Sequence, residues 1–143
     1  MRAYRWNHVV TFDETNLVGN VYFTNFLRWQ GHCREMFLAE FAPGVLAEIG
    51  TGALALATVA CDMEYYAECF AFDRVEVAMT LRERRGSRVR MDFDFLREGT
   101  RVAKGSQTVA CLRRTETGTE PVDVPPELAD ALAPYEIGRS TAW

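Results

Sequence analysis

The stretch Thr11–Glu35 reads TFDETNLVGNVYFTNFLRWQGHCRE, and it decides the fold of this chain. Aromatic and β-branched residues lead into it and predict a first strand at Tyr4–Phe12. A loop is predicted at Asp13–Gly19, because this segment carries turn-forming residues. Apolar residues then recur at helical spacing over Asn20–Phe41, and a Pro-Gly pair ends the pattern. The stretch therefore predicts a strand, a tight loop and a long helix in succession.

The rest of the chain predicts an antiparallel meander behind this helix. An apolar run at Ala53–Tyr66 has the length of a buried strand. Alternating apolar and polar residues predict further strands at Arg74–Arg84, Arg88–Arg97 and Arg101–Arg114, joined by short turns that contain glycine. A short helix is predicted at Pro125–Ala133, followed by a loose tail. One long helix packed on such a sheet is an α+β fold.

Length and composition narrow the class of protein. The 143 residues predict one domain over 1–143, in which 125–143 form the short terminal helix and tail. A net charge of −4 argues against a nucleic-acid partner. No apolar run approaches the roughly 18 residues of a membrane span, and the N-terminus does not resemble a signal peptide. The composition therefore predicts a cytoplasmic protein with neither a nucleic-acid nor a membrane partner.

The cysteines and histidines give no sign of a metal or cofactor. The four cysteines show neither CxxC nor zinc-ligand spacing, and they are interpreted as reduced, mostly buried thiols: Cys33, Cys61, Cys69 and Cys111. The two histidines lie far apart and without acidic spacing, so they predict no metal site. His8 has no visible acid partner, and His32 projects toward the polar margin of the helix. A dehydratase, which needs a histidine–acid pair as general base, is therefore disfavoured.

An arginine lies within the apolar arc of the predicted helix. A projection at 100° per residue places Arg34 in an apolar sector, with Gln30 one turn before it. An unpaired buried charge is very costly, so this guanidinium must find an anion or several acceptors. Two interpretations stay open: a structural salt bridge to Glu64 or Glu68, or a site residue that binds the anionic or carbonyl end of a substrate.

The loop before the helix predicts a second group of site residues. Gly19 permits close backbone approach, Asn20 is a candidate N-cap, and free amides near Val21 and Tyr22 would point at a ligand. Such donors suit a carbonyl oxygen that becomes negative during acyl transfer. The amide of Asn16 can donate to that oxyanion, but it cannot act as a carboxylate nucleophile. The alternative is that this loop only caps the helix.

A row of aromatic residues follows on the helix and has two interpretations. These rings line a channel for a conjugated chain, or they belong to the core: Tyr22, Phe23, Phe26 and Trp29.

The block TNLVGNVYFTNFLRWQGHCRE resembles hot-dog thioesterases of the 4-hydroxybenzoyl-CoA thioesterase-like superfamily, and in detail those that serve enediyne polyketide synthases. The resemblance implies an antiparallel sheet wrapped around one long central helix. Asn16 stands where many of these enzymes have a catalytic aspartate, and Asn16 and Arg34 match the catalytic residues of the enediyne branch. Phe26 stands where some relatives have tyrosine.

The resemblance also implies a reaction and partners. The reaction is hydrolysis of a long, unsaturated β-ketoacyl chain from an acyl carrier protein, after which the β-keto acid loses CO2. Five arginines around one predicted turn are interpreted as a docking surface for the acidic carrier or as solvated charge: Arg82, Arg84, Arg85, Arg88 and Arg90. The alternatives are an acyl-CoA thioesterase of general metabolism and a non-catalytic acyl-binding protein.

A homo-oligomer, dimer or tetramer, is expected because a one-helix sheet leaves an edge strand that needs a partner. A straight helix from Asn20 places Arg34 roughly 20 Å along its axis. Asn16 and Arg34 would then meet across a subunit interface, or Arg34 would act indirectly.

Overall fold

A computed structural model describes residues 2–137 and shows one antiparallel sheet covered by helices. The strands run in the order β1-β3-β4-β5-β2, and β6 pairs with the far end of β5. Their bounds are Tyr4–Val9 for β1, Leu54–Tyr65 for β2, Arg74–Arg85 for β3, Arg88–Arg97 for β4, Thr100–Thr115 for β5 and Gly118–Pro121 for β6. This arrangement confirms the predicted α+β class.

Three helices accompany the sheet: α1 at Thr24–Phe41, α2 at Pro43–Thr51 and α3 at Pro126–Leu132. The core lies between α1 and the central strands. Phe26 of α1 packs against Phe95 of β4 at 5.5 Å between ring centroids, and Cys33 reaches the carbonyl of Val77 on β3. Phe37 of α1 is likewise buried. The helix is therefore held against the sheet by large apolar side chains.

The alternation predicted for the two central strands is confirmed. The inward residues are buried: Val75, Val77, Met79 and Leu81 on β3, and Val89, Met91, Phe93 and Phe95 on β4. Between them, Arg88 and Arg90 are exposed, and Asp92 and Asp94 are half-buried. A period of two residues is what a sheet with one covered face requires.

The start of the long helix differs from the prediction. Asn20 and Val21 form isolated β-bridges with Phe70 and Thr15, so α1 begins at Thr24 and its N-cap is Phe23. Asn20 is thus not the N-cap. These bridges between separate segments of the same chain outweigh the local preference of Asn20 for an N-cap position, because they satisfy backbone groups of both segments.

The other differences lie at the ends of elements. β1 stops at Val9, and Phe12–Glu14 form a 3-10 turn. The proline at position 43 ends α1 as predicted, but it also opens α2, since proline suits the first helical turn. Neither α2 nor β6 was predicted. The terminal helix lies at Pro126–Leu132, and the tail beyond residue 137 lies outside the described residues.

β2 is not the buried strand that its apolar composition indicates. It is an edge strand, with most of its outer half exposed and a bulge between Thr58 and Ala60. Within residues 2–137, no helix is both long and apolar enough to span a membrane.

Candidate active site

Asn16 lies in a tight loop between the bridged residues Thr15 and Val21. Its backbone N–H donates to the carbonyl of Asn20 at 2.8 Å, and its own carbonyl accepts from Gly19 at 2.9 Å. Gly19 has φ +97°, a conformation that favours glycine. The Asn16 side-chain Oδ1 accepts from the N–H of Val18 at 3.1 Å, which fixes the orientation of the carboxamide. The NH2 group is left to donate to a ligand.

Glu14 holds this loop against the start of α1. Its Oε2 accepts from Trp29 Nε1 at 2.7 Å, and its Oε1 lies 2.8 Å from His8 Nε2 and accepts from the N–H of Thr11 at 3.0 Å. The Glu14 backbone carbonyl accepts from Asn25 Nδ2 at 2.8 Å and from the N–H of Tyr22 at 2.9 Å. One residue thus ties β1, the loop and α1 together, two positions before Asn16.

The prediction that His8 has no acid partner is wrong, because Glu14 fills that role. The two residues are six positions apart, and the 3-10 turn brings them together, which no strand or helix period indicates. Burial opposes the charge of Glu14, but hydrogen bonds from Trp29, Thr11 and His8 outweigh it and lower the pKa of this carboxyl. The pair therefore works as an anchor beneath the loop.

The backbone amides expected to face a ligand are already occupied. The N–H of Val21 donates to the carbonyl of Cys69 at 2.8 Å, and that of Tyr22 donates to Glu14. The expectation of free donors at these two positions is therefore wrong, for the same reason that α1 starts late. The Asn20 side chain donates to Glu68 Oε1 at 3.1 Å, whereas its Oδ1 is buried and accepts no hydrogen bond from the described residues.

Arg34 lies in the middle of α1 and reaches across to the sheet. Its Nη1 donates to Gln107 Oε1 on β5 at 2.8 Å and lies 3.4 Å from Thr58 Oγ1 on β2. Gln107 in turn donates to Gln30 of α1 at 3.4 Å. Gln30 and Gln107 are both buried. The guanidinium is thus held by neutral groups.

The salt bridge that one interpretation assigned to Arg34 is not formed. Neither Glu64 nor Glu68 pairs with it, and no ion pair involves Arg34 within residues 2–137. Its Nε is buried and has no partner among these residues. Burial lowers the pKa of Arg34, against a smaller opposing effect of Glu35. A half-buried cation with an unused buried donor is suited to bind an anion or a carbonyl oxygen.

The aromatic row divides into two pairs. Trp29 and Phe26 are 0 % and 3 % exposed and pack on each other at 4.8 Å, so they belong to the core. Tyr22 and Phe23 are about half exposed, with their rings 4.9 Å apart. These two rings are the part of the row that a ligand can reach.

Asn16 and Arg34 do not come together within one chain. Ten residues of α1 separate Thr24 from Arg34, about 15 Å along the helix axis. Among residues 2–137, the hydrogen bonds of Asn16 lie within its own loop, and the side chain of Arg34 bonds to β2 and β5.

The structure also bears on the cysteines and on metal binding. All four cysteines are free; Cys33, Cys69 and Cys111 are buried and Cys61 is exposed. In the described part of the chain, no three His, Cys, Asp or Glu residues lie close enough to hold a metal ion.

Comparison with known proteins identifies the family. The sequence-family model of the thioesterase-like superfamily matches residues 10–132 of the chain. The chain belongs to this superfamily. A comparison with curated protein sequences gives no significant match.

Solved structures support the same assignment. The dynemicin thioesterase, whose crystal structures revealed induced-fit and allosteric effects upon polyene binding, is 56 % identical with a TM-score of 0.90. The alignment covers 94 % of this chain and 98 % of that one. The hot-dog fold and the resemblance to enediyne-associated thioesterases are thereby confirmed.

Two more distant thioesterases show that the fold alone is widely shared. A 1,4-dihydroxy-2-naphthoyl-CoA thioesterase from Synechocystis is 21 % identical with a TM-score of 0.82, over 92 % of this chain and 96 % of that one. A gentisyl-coenzyme A thioesterase is 19 % identical with a TM-score of 0.76, over 90 % and 98 %. The superfamily assignment and the dynemicin relative together support thioesterase activity for this chain.

Proposed function

We propose that this superfamily member hydrolyses a long, unsaturated β-ketoacyl chain from the acyl carrier protein of an iterative enediyne polyketide synthase. The observation that carries the proposal is the 56 % identity to the dynemicin thioesterase over nearly the whole chain, since that enzyme binds a polyene. The enzyme acts in the cytoplasm and needs neither a metal nor a cofactor.

The reaction proceeds by direct attack of water on the thioester carbonyl. The new C–O bond forms as the carbonyl oxygen becomes negative, and the NH2 group of Asn16 stabilises that oxygen. Collapse of the intermediate breaks the C–S bond, and the phosphopantetheine sulfur leaves with a proton that comes from the water. An amide can perform this role, whereas it cannot replace a carboxylate nucleophile.

Asn20 assists by holding the attacking water. Its Oδ1 is a buried acceptor without a partner among the described residues, and its backbone carbonyl binds the N–H of Asn16. A buried acceptor in this state favours an ordered water. Asn16 then supplies a donor and Asn20 an acceptor at the two ends of one loop.

Arg34 binds the β-keto oxygen of the chain or the carboxylate that hydrolysis releases. Its unused Nε and its lack of a carboxylate partner leave the guanidinium available for such an oxygen. Loss of CO2 from the β-keto acid forms an enolate, and a cation beside the keto oxygen stabilises it. The product is a polyene ketone.

The complete site combines two subunits, because Asn16 and Arg34 are far apart in one chain. The exposed edge strand β2 offers unpaired backbone groups, and Val59 at its bulge is 44 % exposed. An apolar, unpaired edge requires cover. We assign it to contact between copies in a dimer or tetramer, which brings Asn16 of one subunit near Arg34 of another.

The carrier protein docks on the hairpin that joins β3 and β4. All five arginines of this hairpin are exposed. Arg82, Arg85 and Arg90 contact carboxylates of the same chain, whereas Arg84 and Arg88 form no ion pair within residues 2–137. A local positive surface on a chain with net charge −4 suits an acidic partner.

Kinetic comparison of matched substrates tests the proposal. The same β-ketoacyl chain is presented on the carrier protein and on CoA, and kcat/KM is measured for both. We expect a clear preference for the carrier. Equal or greater turnover of the CoA thioester would identify an acyl-CoA thioesterase of general metabolism, and tight binding without turnover of either would identify an acyl-binding protein.

A further inference from the structure

We infer that Gln30 and Gln107 are positioning residues that hold the guanidinium of Arg34 in place without neutralising its charge, and thereby make the site selective for β-ketoacyl chains. This inference rests on the proposed function and adds the residues through which Arg34 recognises a keto oxygen. Gln30 and Gln107 are the two glutamines of the 143-residue sequence. They lie on different elements, α1 and β5, and their side chains meet between the helix and the sheet.

Both glutamines are buried, which is uncommon for this residue type. Gln30 is 0 % and Gln107 is 6 % exposed. A buried carboxamide without hydrogen-bond partners destabilises a fold, so each amide must find a donor or an acceptor nearby. Gln107 Nε2 donates to Gln30 Oε1 at 3.4 Å, and Gln30 Nε2 donates to the backbone carbonyl of Ser106 at 3.4 Å. The two amides are therefore linked in one hydrogen-bonded row.

The row ends at Arg34, which fixes the direction of every hydrogen bond in it. Arg34 Nη1 donates to Gln107 Oε1 at 2.8 Å. A guanidinium can only donate and a backbone carbonyl can only accept, so both amides must turn their oxygen toward Arg34 and their NH2 group toward Ser106. We call this set the glutamine row: Arg34, Gln107, Gln30 and the carbonyl of Ser106. Because its two ends allow one arrangement only, the acceptor that Gln107 offers to the guanidinium has a fixed position.

The backbone brings the members of the glutamine row together. Gln30 and Arg34 are four residues apart on α1, so they lie on the same side of the helix. On β5, a Cβ atom at Gly105 would lie 2.8 Å from Gln30 Nε2 and 2.6 Å from the carbonyl oxygen of Asp62. Contacts this short exclude a side chain at position 105. Glycine therefore leaves the space that the carboxamide of Gln30 occupies.

The partners of Arg34 hold its position but leave its charge available. Gln107 and Thr58, whose Oγ1 lies 3.4 Å from Nη1, are both neutral. No ion pair involves Arg34 within residues 2–137, and its Nε is buried without a partner among them. A carboxylate in place of Gln107 would form a charge-assisted hydrogen bond and compete with any ligand oxygen. A neutral amide orients the guanidinium without this competition, so the cation remains free to bind a keto oxygen.

Two replacements of Gln107 separate orientation from charge. Gln107→Glu keeps the size of the side chain and its acceptor, but it adds a negative charge that pairs with Arg34. Gln107→Leu removes the acceptor and leaves the charge of Arg34 uncompensated. For each variant, kcat/KM is measured with carrier-bound β-ketoacyl and simple acyl chains of the same length. We expect the ratio of the two values to fall about tenfold in both variants, equivalent to about 1.4 kcal/mol.

Thr108→Val is the matched control for these variants. Thr108 follows Gln107 on β5, so its side chain points to the opposite face of the sheet. This variant should keep the wild-type ratio. A merely structural role of Gln107 would lower kcat/KM equally for both substrates, in step with the melting temperature, and that result would overturn the inference. An unchanged ratio in both Gln107 variants would overturn it too.

A variant of Gln30 serves if neither Gln107 variant folds. Gln30→Met removes the acceptor that orients the amide of Gln107 and leaves the side chain of Arg34 as it is. The ratio of the two kcat/KM values should fall in this variant as well. A wild-type ratio in a folded Gln30→Met protein would contradict the inference.

Binding of non-hydrolysable analogues distinguishes failure of this inference from failure of the proposed function. In these analogues CH2 replaces the thioester sulfur, and one carries the 3-keto group whereas the other lacks it. If the wild-type protein hydrolyses no carrier-bound chain, but binds the keto analogue more tightly and Gln107→Glu loses that preference, the function fails and the inference stands. If the wild-type protein hydrolyses carrier-bound chains and both Gln107 variants keep the wild-type preference, the inference fails and the function stands.

Discussion

In the proposed mechanism, the side chain of Asn16 sets the chemistry of the site. Its Oδ1 accepts a hydrogen bond from the N–H of Val18, so the NH2 group is the part of the carboxamide that remains to donate. An aspartate at this position would present negative charge from the same loop. The loop itself is held by Glu14, whose contacts with Trp29 and His8 reach two other elements. The position and orientation of the Asn16 side chain are thus fixed by neighbouring residues, and Asn16 itself supplies the N–H donor.

Replacement of Asn16 tests its role as a donor. Asn16→Ala should lower kcat roughly 10²-fold or more with an unchanged melting temperature, as expected for loss of an oxyanion donor. Asn16→Asp should also impair hydrolysis, because a carboxylate repels the developing negative charge. Full activity in Asn16→Asp would show that the site supports aspartate chemistry, and the proposed mechanism would be wrong.

Replacement of Arg34 separates binding of the keto oxygen from support of the fold. Its partners are neutral, so Arg34→Met leaves no unpaired buried carboxylate and should cost at most about 1–3 kcal/mol of unfolding free energy, through Gln107. Its kcat/KM should fall more for β-ketoacyl than for simple acyl thioesters. Arg34→Lys should also have a low kcat/KM for β-ketoacyl thioesters, because lysine lacks the forked donors of a guanidinium. Equal losses on both substrates, in step with the melting temperature, would make Arg34 a structural residue.

Glu14 predicts a pH dependence of stability. Its pKa is lowered from its ordinary value of 4.5 in the folded protein, so its stabilising contribution is fully present above pH 4.5 and is lost as the pH falls through the folded-state pKa. Unfolding free energy is measured in urea at pH 7 and at decreasing pH. Glu14→Gln should cost about 1–3 kcal/mol at pH 7 and reduce the acid-dependent loss. The exposed control Glu64→Gln should behave as wild type, and a Glu14→Gln curve parallel to wild type would contradict this account.

At the scale of elements, the proposed docking surface and the proposed catalytic residue Asn16 lie on two separate segments, the β3–β4 hairpin and the loop before α1. The hairpin projects arginines from the exposed end of β3 beyond Leu81 and from the exposed positions of β4 that flank the buried Val89. The loop is fixed by bridges to Phe70 and Val21 rather than by a helix cap.

Charge reversal on the hairpin tests carrier docking. Arg88→Glu should reduce kcat/KM several-fold for carrier-bound chains and leave CoA-bound chains unaffected, with an effect that weakens at high salt. Arg74→Glu is the matched control, because Arg74 is exposed on β3 at the end remote from the hairpin and has no ion pair within residues 2–137. An equal loss for both variants would indicate a general charge effect and remove the hairpin as the docking surface.

The elements also show what a sequence can and cannot predict. The alternation of apolar and polar residues in β3 and β4 was sufficient to predict which side chains are buried. A side chain on a strand points to one of only two faces of the sheet. The start of α1 was predicted four residues early, since the bridge between Asn20 and Phe70 joins segments distant in sequence. The neutral partners of Arg34 were missed for the same reason. The contact of His8 with Glu14 was missed because it depends on the 3-10 turn at Phe12–Glu14, which no strand or helix period indicates. Nothing in the local sequence indicates that Arg34 pairs with Gln107 rather than with Glu64 or Glu68.

At the scale of the whole molecule, the two proposed catalytic residues do not meet within one chain. Asn16 lies in the loop before α1, Arg34 lies ten residues beyond the start of that helix, and β2 is an edge strand of the sheet. Association of two copies of the chain would account for both observations. Oligomerisation then completes the site and protects the edge.

Mixing of two impaired variants tests this arrangement. Light scattering should show a dimer or tetramer at micromolar concentration. Co-refolded Asn16→Ala and Arg34→Met chains should regain part of the wild-type activity, because mixed oligomers contain one intact pair. Each variant refolded alone is the control. A stable monomer, or no recovery in mixed oligomers, would contradict a shared site.

Hydrolysis of a carrier-bound chain is tested most directly by intact mass measurement of a carrier protein loaded with a long β-ketoacyl polyene chain. We predict that the wild-type protein releases the chain catalytically and returns the carrier with a free phosphopantetheine thiol, whereas Asn16→Ala releases the chain roughly 10²-fold more slowly. A polyene ketone should accumulate in the wild-type reaction. An acyl chain that stays on the carrier at equimolar wild-type protein would show that the protein is not a carrier-protein thioesterase.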